Sequence, residues 1–243
     1  MYLRVLTPAV VVLSLLAALP AEGQGARVRL RFLAFQSGVA PGEAYLHDPA
    51  GPDGITGIKV GVKNYLNHQS DTITLSSRKF ALTRSGDRDS LTREGERITE
   101  ATLPEGVRTA IVLLLPGGPG EKTSCRSLVI NDDKKEFPLG SFHISNLSPA
   151  PVRLVLEKKK FDFKPGDTQV IKDPPVRENQ HSGMEAFALK DEEWRRIASG
   201  MWPKPDRGRV LQVLFARPVT GQIQLRAFDD VPPRPFEETA PVN

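Results

Sequence analysis

The sequence predicts an all-β protein: two tandem β-sandwich domains of immunoglobulin-like type, related by internal duplication. Three observations carry this expectation. Short stretches of alternating polar and apolar residues recur along the chain, separated by turn residues. The 243 residues include 21 prolines and 20 glycines, which leaves little room for long helices. Finally, short words return in the same order about a hundred residues later: Phe80-Ala81-Leu82 as Phe187-Ala188-Leu189, Arg97-Ile98 as Arg196-Ile197, Val112-Leu113 as Val213-Leu214, and Asp132-Asp133 as Asp229-Asp230. A repeat of that length is large enough to be a domain. The expected division is residues 26–135 and 139–231, with a short linker around 134–139.

Residues 1–25 read as a signal peptide. Arg4 opens it, 5–19 is apolar apart from Thr7, Pro8 and Ser14, and Ala21, Gly23 and Gly25 offer small-residue cleavage sites. The apolar run is 15 residues long, short of the about 20 that span a bilayer. The expected product is secreted or periplasmic and is not an integral membrane protein after leader cleavage.

In the first half, 27–32 alternates strictly, as for a strand with one face on a core and one in water. Runs at 43–47, 58–62, 72–75, 79–83 and 97–103 follow. Residues 109–115 are continuously apolar, the pattern of a central strand buried on both faces, and 124–130 ends the copy. In the second half the runs are 141–145, 152–157, 161–164, 168–171, 184–189, 194–201, 210–215 and 223–228. Asp191-Glu192-Glu193 would suit a helix start, but its counterpart in the first copy reads as loop and strand, so a strand or single turn is expected. Residues 232–243 form a Pro-rich tail expected to be disordered.

The net charge of +4 is mild for this length, and no broad basic stripe points to nucleic acid. Lys158-Lys159-Lys160 reads as a solvated strand edge. Cys125 is the single cysteine; it reads as a half-buried strand residue, with an intermolecular bridge as the alternative.

Several motifs fail as chemistry. Residues 116–123, Pro-Gly-Gly-Pro-Gly-Glu-Lys-Thr, resemble a phosphate loop, but Glu121 stands where Gly must precede Lys, and a strand follows in place of a helix. The loop reads as a hairpin connection. His47, His68, His143 and His181 show no metal-pair spacing; only His47 and His68 could meet through space. The paired aspartates read as turn chemistry in preference to calcium ligands. No Gly-x-Ser-x-Gly elbow occurs. Trp202, expected at the rim, and Tyr45 are the aromatic candidates for a sugar platform. Asn146-Leu147-Ser148 fits an N-glycosylation acceptor, weakened by Pro149. The sequence therefore nominates no catalytic residue, metal ligand or cofactor. Its speculative binding residues are Trp202, Tyr45, His47 and His68.

Residues 27–48, and Asn146 to Leu156 followed by Lys164-Pro165-Gly166, resemble the opening of secreted bacterial sandwich modules known only as domains of unknown function. The pattern is a strand, a Ser-Pro turn, a strand in a simple hairpin, and a Pro-Gly turn. The second copy matches better; the first carries Gln36-Ser37-Gly38 at the turn and an insertion around 48–57. The resemblance implies a secreted, immunoglobulin-like β module and no catalytic residues. The resulting expectation is a non-enzymatic exported protein with a binding or scaffold role, its partner a protein or polysaccharide of the envelope. The alternatives are a carbohydrate- or matrix-binding module, or a hydrolase with an inter-domain cleft.

Overall fold

A computed structural model describes residues 25–36, 42–118 and 120–232. The expected leader, the expected tail beyond residue 232 and Ser37-Gly38 lie outside the described residues. The described chain is all-β, apart from one 3-10 turn at Arg88–Leu91. No helix among the described residues is long and apolar enough to cross a membrane. The first half holds β1 (Ala26–Ala34), β2 (Glu43–His47), β3 (Ile58–Lys63), β4 (Asp71–Leu75), β5 (Lys79–Thr83), β6 (Arg97–Thr102), β7 (Thr109–Pro116) and β8 (Cys125–Asn131). The second holds β9 (Phe142–Asn146), β10 (Val152–Leu156), β11 (Lys159–Phe163), β12 (Thr168–Ile171), β13 (His181–Lys190), β14 (Glu193–Pro203), β15 (Arg209–Ala216) and β16 (Ile223–Asp230).

Both halves use one pairing scheme. β1 pairs with β4 antiparallel and β7 parallel, and β7 pairs with β8. β9 pairs in the same way with β12 and β15, and β15 with β16. The remaining strands run β3-β2-β5-β6 in one half and β11-β10-β13-β14 in the other. One extra pairing distinguishes the first half: Phe32 and Leu33 of β1 meet Val62 and Lys63 of β3 in parallel. That contact fuses its strands into one eight-stranded sheet, whereas the second half has two four-stranded sheets.

A bulge fixes the true correspondence. Between β5 and β6 the register skips Ile98; between β13 and β14 it skips Ile197. Arg97-Ile98 and Arg196-Ile197 are therefore equivalent. The same registers match Phe80-Ala81-Leu82 with Met184-Glu185-Ala186, three residues before the Phe-Ala-Leu word the sequence offers. The burial agrees: Phe80 and Leu82 enter the first core, Met184 and Ala186 the second. Val112-Leu113 and Val213-Leu214 also differ in facing. Val112 points into its own core while Val213 points out of it. Side chains alternate faces along a strand, so an odd shift reverses every contact.

Three apolar layers result. Val28, Leu30, Phe32, Val112 and Leu114 sit in the first core, and Ile144, Leu154, Phe163 and Leu214 in the second. Between the halves lies a third layer, with Leu33, Phe35, Ile111 and Leu113 against Leu211, Val213 and Phe228. The continuously apolar β7 is buried on both faces because Ala110, Val112 and Leu114 serve the first layer while Ile111 and Leu113 serve the third. β15 does likewise. Phe137, in the linker, is 0% exposed and belongs to this joint. Lys159 and Lys160 are exposed on β11, an outer strand. Cys125 is buried in the first core, out of reach of a second chain, and burial pushes its thiol pKa up.

Candidate functional site

At one end of the joint the apolar layer gives way to four charged side chains. Arg31 comes from β1, Asp132 follows β8, Arg209 opens β15 and Asp230 closes β16. Each side chain is at most 12% exposed. All project from the joint-facing sides of their strands, which puts ions where the apolar layer ends. Arg31 Nε and Nη2 donate to Asp132 Oδ2 and Oδ1 at 3.0 and 2.8 Å, and Nη1 and Nη2 donate to Asp230 Oδ1 and Oδ2 at 2.9 and 2.8 Å. Nη1 also donates to Leu66 O at 2.7 Å. All five N–H donors of a guanidinium are thus used. Arg209 Nε donates to Asp230 Oδ2 at 2.9 Å, Nη2 to Asp132 Oδ1, and Nη1 to the Phe137 and Asp132 carbonyls at 2.6 and 3.4 Å. Its guanidinium lies 4.4 Å over the Phe137 ring.

For Arg31 and Asp230 burial opposes the charge, but pairing wins. Desolvation would lower the pKa of Arg31, yet hydrogen bonds to Asp230 and Asp132 hold it above its ordinary value. Burial would raise Asp230, yet Arg31 and then Arg209 hold its carboxyl below the usual range. Buried charges persist where they are paired and hydrogen-bonded. The recurring aspartates are corrected accordingly. Asp132 and Asp230 are ion-pair residues of the joint, and only Asp133 makes a turn, its Oδ1 accepting from Lys135 N at 2.8 Å. No cluster of three or more potential metal ligands occurs among the described residues.

A pocket of about 520 Å³ opens onto this cluster. Arg31, Asp132 and Arg209 form part of its wall, and Arg29, His68, Thr109, Asp133 and Lys134 extend it. His68 Nδ1 lies 2.8 Å from Tyr65 O, a carbonyl, so Nδ1 carries the proton and Nε2 is an acceptor. His68 Nε2 and Thr109 Oγ1 are buried and have no hydrogen-bond partner. Burial, with Arg31 nearby, lowers the pKa of His68.

His47 occupies a separate place. It is 2% exposed on β2, roofed by the 48–57 loop. Its Nε2 lies 2.9 Å from Thr83 Oγ1, 3.2 Å from Ser85 O and 3.4 Å from Ser90 Oγ. A Cβ on Gly57 would come within 2.5 Å of that nitrogen, so only glycine lets the loop close. Burial lowers the pKa of His47. His47 and His68 line different cavities, so the through-space pair does not form. Tyr45 is half-buried, its ring against Gly86. Trp202, expected at the rim, turns inward: its ring lies 5.0 Å from Phe142 and packs on the second core. Trp194 is the more exposed tryptophan, at 36%, with Arg153 4.3 Å above it. These four speculative residues do not share one pocket, and of them only His68 lines the charged one.

Two further readings change. Asn146 is 0% exposed: its Nδ2 donates to the carbonyls of Ala150, Phe163 and Lys164 at 2.9, 3.2 and 3.2 Å, and its Oδ1 accepts from Ser148 N and Oγ at 3.1 and 2.7 Å. The apparent glycosylation acceptor is the clasp of a turn, sealed from any transferase in the folded chain. It binds the Asn-Leu-Ser-Pro turn to the Lys-Pro-Gly turn, which is why both words occur together. Arg31 and Arg209 were missed altogether. The available signal was a charged residue within each joint-facing run, one between Leu30 and Phe32 and one beside Val210.

No protein-family model matches this chain, and no curated protein does. Among solved structures, a putative cell adhesion protein from Bacteroides uniformis ATCC 8492 aligns over 86% of this chain and 99% of its own, at 11% identity and a TM-score of 0.21. A superposition that loose carries no argument about fold or function.

Proposed function

We propose that this chain is an exported, non-enzymatic protein of the cell envelope or extracellular space. It serves as a binding or scaffold element built from two immunoglobulin-like β-sandwich modules descended from one duplicated segment. The leader supports export, and the repeated pairing scheme supports duplication. The observation that carries the functional reading is the joint. An apolar layer and a buried, hydrogen-bonded ion cluster hold the halves in one orientation, which suits a rigid presenting surface. The buried histidine His47 serves internal packing, and its hydroxyl neighbours Thr83 and Ser90 point to backbone carbonyls. Fractionation of the native host tests the reading. The mature protein is expected outside the cytoplasm with a mass lacking about 25 residues, the usual leader length. Full-length protein confined to the cytoplasm overturns it.

A further inference from the structure

The pocket beside the ion cluster has unused binding capacity of one particular kind. Arg31 has spent all five donors. Arg209 has not: one Nη2 hydrogen finds no acceptor, since Nη2 donates only to Asp132. Thr109 stands opposite Asp132 on the β7–β8 ladder as Arg209 stands opposite Asp230 on β15–β16, and its hydroxyl is unpartnered. Arg29 and Lys134 are exposed on the pocket wall, and neither has an ion-pair partner among the described residues. These four groups are donors. His68 Nε2 is the exception, a buried acceptor with no donor. An unsatisfied buried polar group costs about 1–3 kcal/mol, so a ligand that supplies a partner is favoured.

The charges narrow the ligand. Arg31, Arg209, Asp132 and Asp230 cancel among themselves, which leaves Arg29 and Lys134 against Asp133. The remainder is a single positive charge, suited to a monoanion. Guanidinium groups fit the planar, two-oxygen geometry of a carboxylate. A sulfate offers acceptors alone and leaves His68 Nε2 unpaired, whereas a hydroxyl beside the carboxylate donates to it. At about 520 Å³ the pocket falls in the roughly 300–1,000 Å³ range of small-ligand sites.

We propose that this pocket binds a monoanionic carboxylate bearing a hydroxyl group, the chemistry shared by uronic-acid sugars and simple hydroxy acids. The carboxylate faces Arg29, Lys134 and the free Arg209 donor; the hydroxyl donates to His68, and Thr109 turns its own hydroxyl to the ligand. The proposal rests on the binding role given above and names its ligand.

Isothermal titration of the mature chain with galacturonate, lactate, galactose and inorganic phosphate tests it. Galacturonate or lactate binds, and galactose binds at least about tenfold more weakly, the worth of one charged hydrogen bond. Galacturonate well ahead of lactate identifies the sugar source, and equal affinity identifies the free acid. Arg29→Ala and Thr109→Val each weaken binding about tenfold without lowering the melting temperature of the free protein, since Arg29 is exposed and valine keeps the shape of threonine while removing an unpaired hydroxyl. Four outcomes overturn it: no heat with either hydroxy acid, galactose equal to galacturonate, phosphate tighter than both, or both variants binding like the parent. A cytoplasmic location overturns the export reading and leaves these titrations untouched.

Discussion

The two halves share their pairing scheme and differ at the rims. In the first half, β2 and β3 are joined by a ten-residue loop, 48–57, and Arg88 holds it by donating to the carbonyls of Asp48, Pro49 and Gly51 at 2.8, 3.2 and 3.2 Å. In the second, Glu157 and Lys158 alone join β10 to β11, with Glu157 at φ 54. The sheet edges differ too. Ser127 Oγ of β8 donates to Glu100 O of β6 at 2.9 Å, whereas no hydrogen bond links β14 to β16 among the described residues. By contrast, the joint-facing sheets β4-β1-β7-β8 and β12-β9-β15-β16 use matching strands in matching ways. The lesson is physical. A face that packs against the other half shares one apolar layer with it, so a change there disturbs both halves. A rim faces water and can lengthen, open or shorten at small cost.

That contrast makes its strongest claim about charge. Asp230→Ala removes a bidentate partner from Arg31 and a single hydrogen bond from Arg209 and leaves guanidinium charge buried, which costs about 3–5 kcal/mol. Asp162→Ala breaks a bidentate pair with Arg153 at 2.7 and 2.8 Å on the exposed face, and exposed pairs are worth about 0–1 kcal/mol. Urea denaturation compares them. Equal losses would mean that the joint is no more sensitive than the surface.

A second effect sharpens the comparison through pH. His143, on the joint side of β9 and 5.2 Å from the Phe137 ring, has its pKa lowered to about 4 by burial. Its unfolded form takes a proton near pH 6.5, so stability falls as pH drops from about 6.5 and levels off near 4. The expected loss is on the order of 3 kcal/mol by linkage. Asp230 acts in a lower window. Its folded carboxyl titrates below the ordinary value of about 3.9, so its contribution persists above that value and disappears as pH falls through the folded one. His47 and His68, also lowered by burial, act in the same upper window, so His143→Leu should make the slope there shallower and leave the lower window as it was; a variant with the parental slope between pH 6.5 and 4 would refute this.

The smallest effect belongs to the rim. Arg88→Ala frees the 48–57 loop without touching either core. Faster proteolytic nicking within that loop is expected, with global stability lowered by about 1 kcal/mol or less. A loss as large as that of Asp230→Ala would show that the loop belongs to the core.

Strands were legible in the sequence because alternation is a local signal; register was not. Arg97-Ile98 and Arg196-Ile197 gave a true correspondence, since both words mark the same bulge. Phe-Ala-Leu and Val-Leu misled by several residues or by one. In strands buried on both faces, apolar residues occupy every position, and such a word can match in more than one register. The pocket was less legible still. His68 was singled out, but Arg31 and Asp230 meet across 199 positions, and no local pattern encodes a partnership made by the packing of two sheets. Trp202 pointed elsewhere because its exposure depended on Phe142, a contact that exists only after folding.

Phe137 gives the molecule a mechanical character. The tether between the halves is anchored by a ring seated under Arg209, so it has no slack to pay out. Tension applied to one half arrives at the other at once, and the pair must yield by shearing its shared seam instead of swinging on a hinge.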